Sequence, residues 1–343
     1  MRKLAAVITV AFVLLLSSCQ KSEAEKFTAY YFDYFDTVTT IVGYADSKEE
    51  FDNVCADICA EFREYHRLYT IYNSYEGVNN LCEVNRADGA TEVDPKIIDM
   101  LLYAKEAYYL TNGNTNVAMG SVLSLWHSAR THGEKHPESA TLPDMEKLKA
   151  ASLHTDIEKV VIDKENNTVT LMDSEMSLDV GAVAKGYAVE MVAKDLEQKG
   201  ISGYLLNVGG NVRAVGARPD GTNWTVGIEN PDATSEKDAY LAYLAVESEA
   251  VVTSGSYQRY YFVDGKAYHH IIDPETLMPG ENFQSVSVIC ASSALGDALS
   301  TALFCMTYEE GDALVASLDG VEAMWVLPDG EIKYSNRFAE YMR

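Results

Sequence analysis

Asp297 and Thr301 stand four residues apart in the stretch 285–304, where a β-patterned run breaks at Ala291-Ser292-Ser293 and a helical pattern follows. At that spacing a carboxylate and a hydroxyl share one helix face, and both are hard oxygen donors of the kind magnesium takes. Such pairs also occur on many solvated helices. Here Ala298, Leu299, Ala302, Leu303 and Phe304 flank them, so the oxygens face apolar surroundings and need a partner that a cation would supply.

A second group lies in LDVGAVAKGYAVE, residues 178–190. Asp179 closes a strand pattern, and Gly181 opens a helix carrying Lys185. The free N–H groups of a helix start attract an anion, and Lys185 would add a full charge; a surface lysine is the plainer reading of the segment alone. In LNVGGNVRAVG, residues 206–216, Gly209-Gly210 either lets the backbone approach a ligand or only turns a hairpin. No helix follows and GxGxxG is missing, so the dinucleotide fingerprint fails. Ser254-Gly255-Ser256 lacks the GxSxG elbow of a serine hydrolase. His270 precedes Ile271, Ile272 and a turn at Asp273-Pro274; it is either a general base or a hydrogen-bonded core histidine. His127, His132 and His136 are spaced too irregularly for a zinc site.

The elements that must position these groups follow from periodicity. Residues 28–44 read as strand, 47–68 and 95–111 as helices, and 128–144 as a polar loop. A helix over 182–199 precedes strands near 203–208, 212–216, 223–229, 240–247, 258–263, 267–272 and 285–290. A helix over 293–307 and a hairpin at Pro328-Asp329-Gly330 complete the chain. Antiparallel strand runs with helices packed on one side define an α+β class, and the absence of βαβ alternation disfavours a Rossmann fold.

The amino terminus reads as an address. Arg2 and Lys3 precede an apolar run, Leu4 to Leu16, too short to span a bilayer, and Leu16-Ser17-Ser18-Cys19 has the pattern of a lipoprotein signal. Residues 1–18 are expected to be removed, 19–26 to form a tether lipidated at Cys19, and 27–343 to form the working domain. With 27 Lys+Arg against 52 Asp+Glu the formal charge is −25, a field that repels nucleic acid. An anionic ligand therefore needs local compensation from a metal, a lysine or backbone N–H groups. Cys55, Cys59, Cys82, Cys290 and Cys305 are odd in number and scattered, which is no disulfide framework.

Taken in order, these segments resemble the ApbE family of FAD:protein FMN transferases. The resemblance is densest over 178–304 and extends to YTIYNSYEGVNNLCEVN, residues 69–85, and GNTNVAMGSVLSLW, residues 113–126. It implies an α+β, T-fold-related domain with magnesium held by Asp297, Thr301 and the carbonyl of Ala182. It implies FAD contacts from Asp179 and Lys185, and further positions around the flavin and pyrophosphate at Phe35, Tyr72, Asn114, Thr115, Asn116, His270 and Ile272. His270 is then the base and Lys185 an electrostatic aid. The implied partner is an exported acceptor flavoprotein with a Thr/Ser flavinylation motif, outside the cytoplasm, with the lipid anchor on the cell membrane. The nearest acceptor-like stretch here, Asp88-Gly89-Ala90-Thr91, carries Asp where the hydroxyl belongs, so the expected client is another protein. The rival expectations are a magnesium-dependent FAD pyrophosphatase and an FAD-binding lipoprotein without turnover. Three departures stand out: Phe35-Asp36-Thr37 for Met-Gly-Thr, Thr115-Asn116-Val117 for Phe-Asp-Pro, and Leu277 for Gly.

Overall fold

A computed structural model describes residues 24–343; the expected signal segment, 1–18, and Cys19 lie outside the described residues. Eight strands form one antiparallel sheet whose spatial order follows the chain. They are Glu25–Tyr34, Thr37–Ala45, Tyr204–Val208, Asn211–Val215, Ala250–Gly255, Ser285–Cys290, Glu322–Val326 and Ile332–Tyr334.

Alternation along each strand divides the core. Ile41, Leu206, Val286, Val288 and Trp325 face one side, and Val42, Leu205, Val251, Ile289 and Met324 face the other. Helices cover the first side: Lys48–Tyr69, Pro95–Leu110, Ala184–Gln198 and Ser293–Cys305. The hairpin Trp224–Glu229 with Tyr240–Val246 covers the second. The architecture is α+β, with the helices on one side as the periodicity predicts. Helix Lys48–Tyr69 shows why it forms: Ser47 accepts from the Glu50 N–H, Glu49 and Glu50 occupy the first turn, and Phe51, Cys55, Ile58 and Phe62 make one buried stripe. Each fully buried Phe or Ile there contributes about 1.5–3 kcal/mol.

Several sequence expectations need correction. Residues 28–44 are two strands, turned at Phe35 and Asp36, whose φ angles of 54° and 50° are left-handed. Residues 128–135 are the end of a helix, Gly120–Lys135, and not loop; only Gly120, Val122, Trp126 and Gly133 of it are buried, so its sequence reads as polar. Asp179 ends no strand. Its carboxylate accepts from the Gly181 N–H at 2.9 Å, and this local turn delays the helix start to Ala184. The strand expected to 272 stops at His269, whose ring donates to the Gly280 carbonyl and accepts from the Ile271 N–H. Ala250–Gly255 is a central strand missed because only Ala250, Val251 and Val252 are apolar and Thr253-Ser254-Gly255 has the residue types of a turn.

Candidate functional site

A cleft of about 560 Å³ opens where the helix Ala184–Gln198, here the lysine helix, meets the helix Ser293–Cys305, the aspartate helix. All twelve residues expected at the site line it: Ala182, Asp297 and Thr301 as metal candidates, and Phe35, Tyr72, Asn114, Thr115, Asn116, Asp179, Lys185, His270 and Ile272 as ligand contacts. Cys19 lies outside the described residues.

Asp297 is 4% exposed and heavily engaged. Its Oδ2 accepts from the Gly186 N–H at 2.7 Å, and its Oδ1 lies 3.2 Å from the Asn211 amide and 3.4 Å from the Lys185 ammonium. Burial raises its pKa above the ordinary 3.8, while Lys185 and the Gly186 N–H act in the opposite sense. Thr301, one turn on, faces the same cleft. The Thr115 hydroxyl donates to the Ala298 carbonyl at 2.7 Å, which ties the 114–116 wall to the aspartate helix. Asn116 is likewise committed, accepting from the Ala118 N–H and donating to the Thr155 carbonyl.

The other end of the cleft is cationic and aromatic. Tyr72, 53% exposed, stacks on His127 with ring centroids 5.1 Å apart. Arg130 lies 3.1 Å from the His127 ring, and Arg259 donates across the cleft to the Asp36 carbonyl at 3.2 Å. Burial raises the Asp179 pKa, and the Gly181 N–H, His127 and the two arginines counter it. Burial, aided by Arg259 and Arg130, pushes His270 down to about 3. Its ring bonds the Arg259 backbone, and its Nδ1 is buried without a partner. Lys185, Arg130 and Arg259 are thus the local positive charge that a chain of formal charge −25 needs before it can hold an anion.

Sequence reasoning missed Arg130, Arg259, His127, Asn211 and Gly186. Gly186 left a signal: glycine inside a helix costs roughly 0.5–1 kcal/mol, so one beside Lys185 marks a close approach. A Cβ there would fall 2.4 Å from both the Asp297 Cβ and the Ser293 carbonyl oxygen. Two of the departures from the family pattern, Asp36 and Leu277, take φ of 50° and 61°, where glycine is unstrained.

This α+β fold gathers a buried carboxylate, neutral oxygens and three cations in one cleft, a set suited to an anionic, phosphate-bearing ligand. The ApbE family model matches residues 35–325, and the chain belongs to the ApbE family. An FAD:protein FMN transferase of Klebsiella pneumoniae is 31% identical over 280 residues, 79% of this chain and 84% of that protein. One of Treponema pallidum is 33% identical over 268 residues, 73% and 72% of the two chains. Among solved structures, the ApbE protein of Thermotoga maritima superposes with a TM-score of 0.81 at 27% identity, covering 93% of this chain and 100% of its own. The flavin transferase ApbE of Vibrio cholerae gives 0.73 at 25% identity, with 92% and 100% covered.

Proposed function

We propose that this enzyme moves the FMN half of FAD onto a Thr or Ser hydroxyl of an exported acceptor protein, with magnesium, from a lipid anchor at Cys19 on the outer face of the cell membrane. The acceptor oxygen forms a bond to the FMN phosphorus, the bond from that phosphorus to the bridging oxygen breaks, and AMP leaves. The observation that carries the reading is the Asp297–Lys185 pair in a cleft that Arg130 and Arg259 also line. A diphosphate has two ends to be held, and the relatives that match most of this chain carry that activity in their names.

The residues fit magnesium. Asp297, Thr301 and the Ala182 carbonyl would hold it, all hard oxygens. Burial leaves the Asp297 carboxylate short of positive charge, and the Oδ1 of Asn211 beside it is a buried acceptor without a partner. Among the described residues no group of three or more His, Cys, Asp or Glu could hold a metal, so one carboxylate and neutral oxygens would share the ion with the substrate. When bound, magnesium neutralises charge on the diphosphate oxygens. Lys185 adds a fixed ammonium at the same end. His270 lines the cleft, is neutral at pH 7 and has an Nδ1 with no protein partner. That nitrogen is buried, so taking the acceptor hydroxyl's proton requires the bound substrates to open a path to it.

Incubation with FAD and magnesium, with and without an exported acceptor, is the test. FMN-labelled acceptor with matching AMP supports transfer. Free FMN in both arms makes the enzyme a pyrophosphatase, and bound flavin without AMP makes it a carrier. Loss of lipid labelling in Cys19→Ser would mark the anchor.

A pH test follows from Asp297. Its folded pKa is raised, so the folded protein holds this proton more tightly than the unfolded chain does. Metal-free stability should fall as pH climbs from the ordinary carboxylate range through the folded value. Magnesium competes with the proton, so the rise in Tm on adding it should be small in acid and grow across that window. An increment that ignores pH would remove Asp297 from the ligand set.

A further inference from the structure

The two helices of the cleft cap each other. The lysine helix has no side-chain cap of its own, because Val183 precedes it. Its first-turn N–H, on Gly186, donates instead to Asp297 of the aspartate helix at 2.7 Å. In return the first N–H of the aspartate helix, on Ser293, donates to Glu190 of the lysine helix at 2.8 Å. Positions 186 and 190 lie one turn apart on one helix, and 293 and 297 one turn apart on the other. The contacts are therefore two rungs of a ladder, each pairing an orphan N–H with a carboxylate, in the geometry a helix start favours.

Glu190 is 2% exposed and is pinned from the sheet. Arg213, 4% exposed on the strand Asn211–Val215, donates from Nε to Glu190 Oε2 at 3.1 Å. It also reaches Glu197, one helix face along, at 2.9 Å, and the backbone carbonyls of Ala214 and Ser248. Every direction in which the guanidinium could swing is taken. Glu190 does not line the cleft.

We infer that Glu190 is a positioning residue: braced by Arg213, it sets where Asp297 and Thr301 stand against Ala182 and Lys185, and through that spacing sets the affinity for a divalent cation. A helix can slide or rotate about one rung; two rungs a turn apart fix both motions. Oxygen ligands drawn from two helices need that fixing, since magnesium tolerates little departure from its preferred distances. The inference rests on the magnesium reading above.

The test is calorimetric titration of magnesium into the FAD-free protein, beside FAD binding followed by flavin fluorescence without magnesium. Glu190→Ala should weaken magnesium binding ~10–100-fold, the range seen when groups behind a metal ligand are lost, while FAD binding is unchanged. Glu190→Gln keeps the shape and an oxygen for the Ser293 N–H, and should recover part of the loss. If Glu190→Ala fails to fold, the Gln variant decides by the same titration: weakened magnesium binding supports the brace. Wild-type magnesium affinity in a folded Ala variant, or in the Gln variant where Ala does not fold, overturns the inference and leaves Glu190 a stabilising ion pair only. A wild-type protein that binds no magnesium overturns both this inference and the magnesium reading.

Discussion

Asp297→Asn should reduce FMN transfer by ~10³-fold or more and still yield a folded protein. The amide keeps the volume and can still accept from the Gly186 N–H, so the lysine helix keeps its cap. What it loses is charge, and with it the only carboxylate in the proposed ligand set. The neighbours gain nothing in exchange, because Lys185 and the Asn211 amide then face a neutral group. Asp297→Ala should be equally inactive and less stable, since removing a capping oxygen costs about 0.5–2 kcal/mol on its own. AMP release and thermal unfolding measured on both variants separate the two effects. Full activity in the Asn variant would take Asp297 out of the chemistry.

His270→Asn should lower kcat for transfer, measured at saturating FAD, by ~10²–10⁴-fold, the usual contribution of a positioned base. The pH profile adds a second readout. Burial and two nearby arginines hold the free-enzyme pKa at about 3, so the ring is neutral and proton-accepting far below the ordinary 6.5. The acid limb of kcat/KM, which reports the free enzyme, should therefore lie well into the acid range. A diphosphate whose far end reaches Arg130 and Arg259 would cancel part of their field and let the pKa rise. The limb in kcat should then sit at higher pH than the limb in kcat/KM. Coincident limbs, or a variant with wild-type turnover, would assign the proton to another group.

The sequence showed best what is local and periodic. Helix Lys48–Tyr69 was legible because a Ser cap, acidic first turn and apolar stripe agree, and the strands Tyr204–Val208 and Trp224–Glu229 because their burial alternates. Ala250–Gly255 was not, since its apolar run ends at Val252 and Thr253-Ser254-Gly255 has the residue types of a turn. The metal candidates and the flavin-side positions were legible through the order of their motifs, and all of them meet in one cleft. Arg130 and Arg259 were invisible for another reason. An arginine carries no sign of which surface it serves, and Arg130 reaches the cleft only because the segment after Trp126 stays helical. Glu190 was equally hidden: its partners lie 23 and 103 residues away, and nothing local announces a carboxylate that caps a different helix.

The cysteines of the described chain carry a last consequence. Cys55, Cys59, Cys82, Cys290 and Cys305 are all free and buried, and burial pushes Cys55, Cys290 and Cys305 up to about 12. The reactive form of a thiol is its anion, so an oxidant meets almost none at Cys55, Cys290 and Cys305 while the protein is folded. Exposure to oxygen would thus leave the finished molecule alone and threaten the chain before its interior closes; for this protein, aerobic damage would register as lost yield and not as a shortened working life.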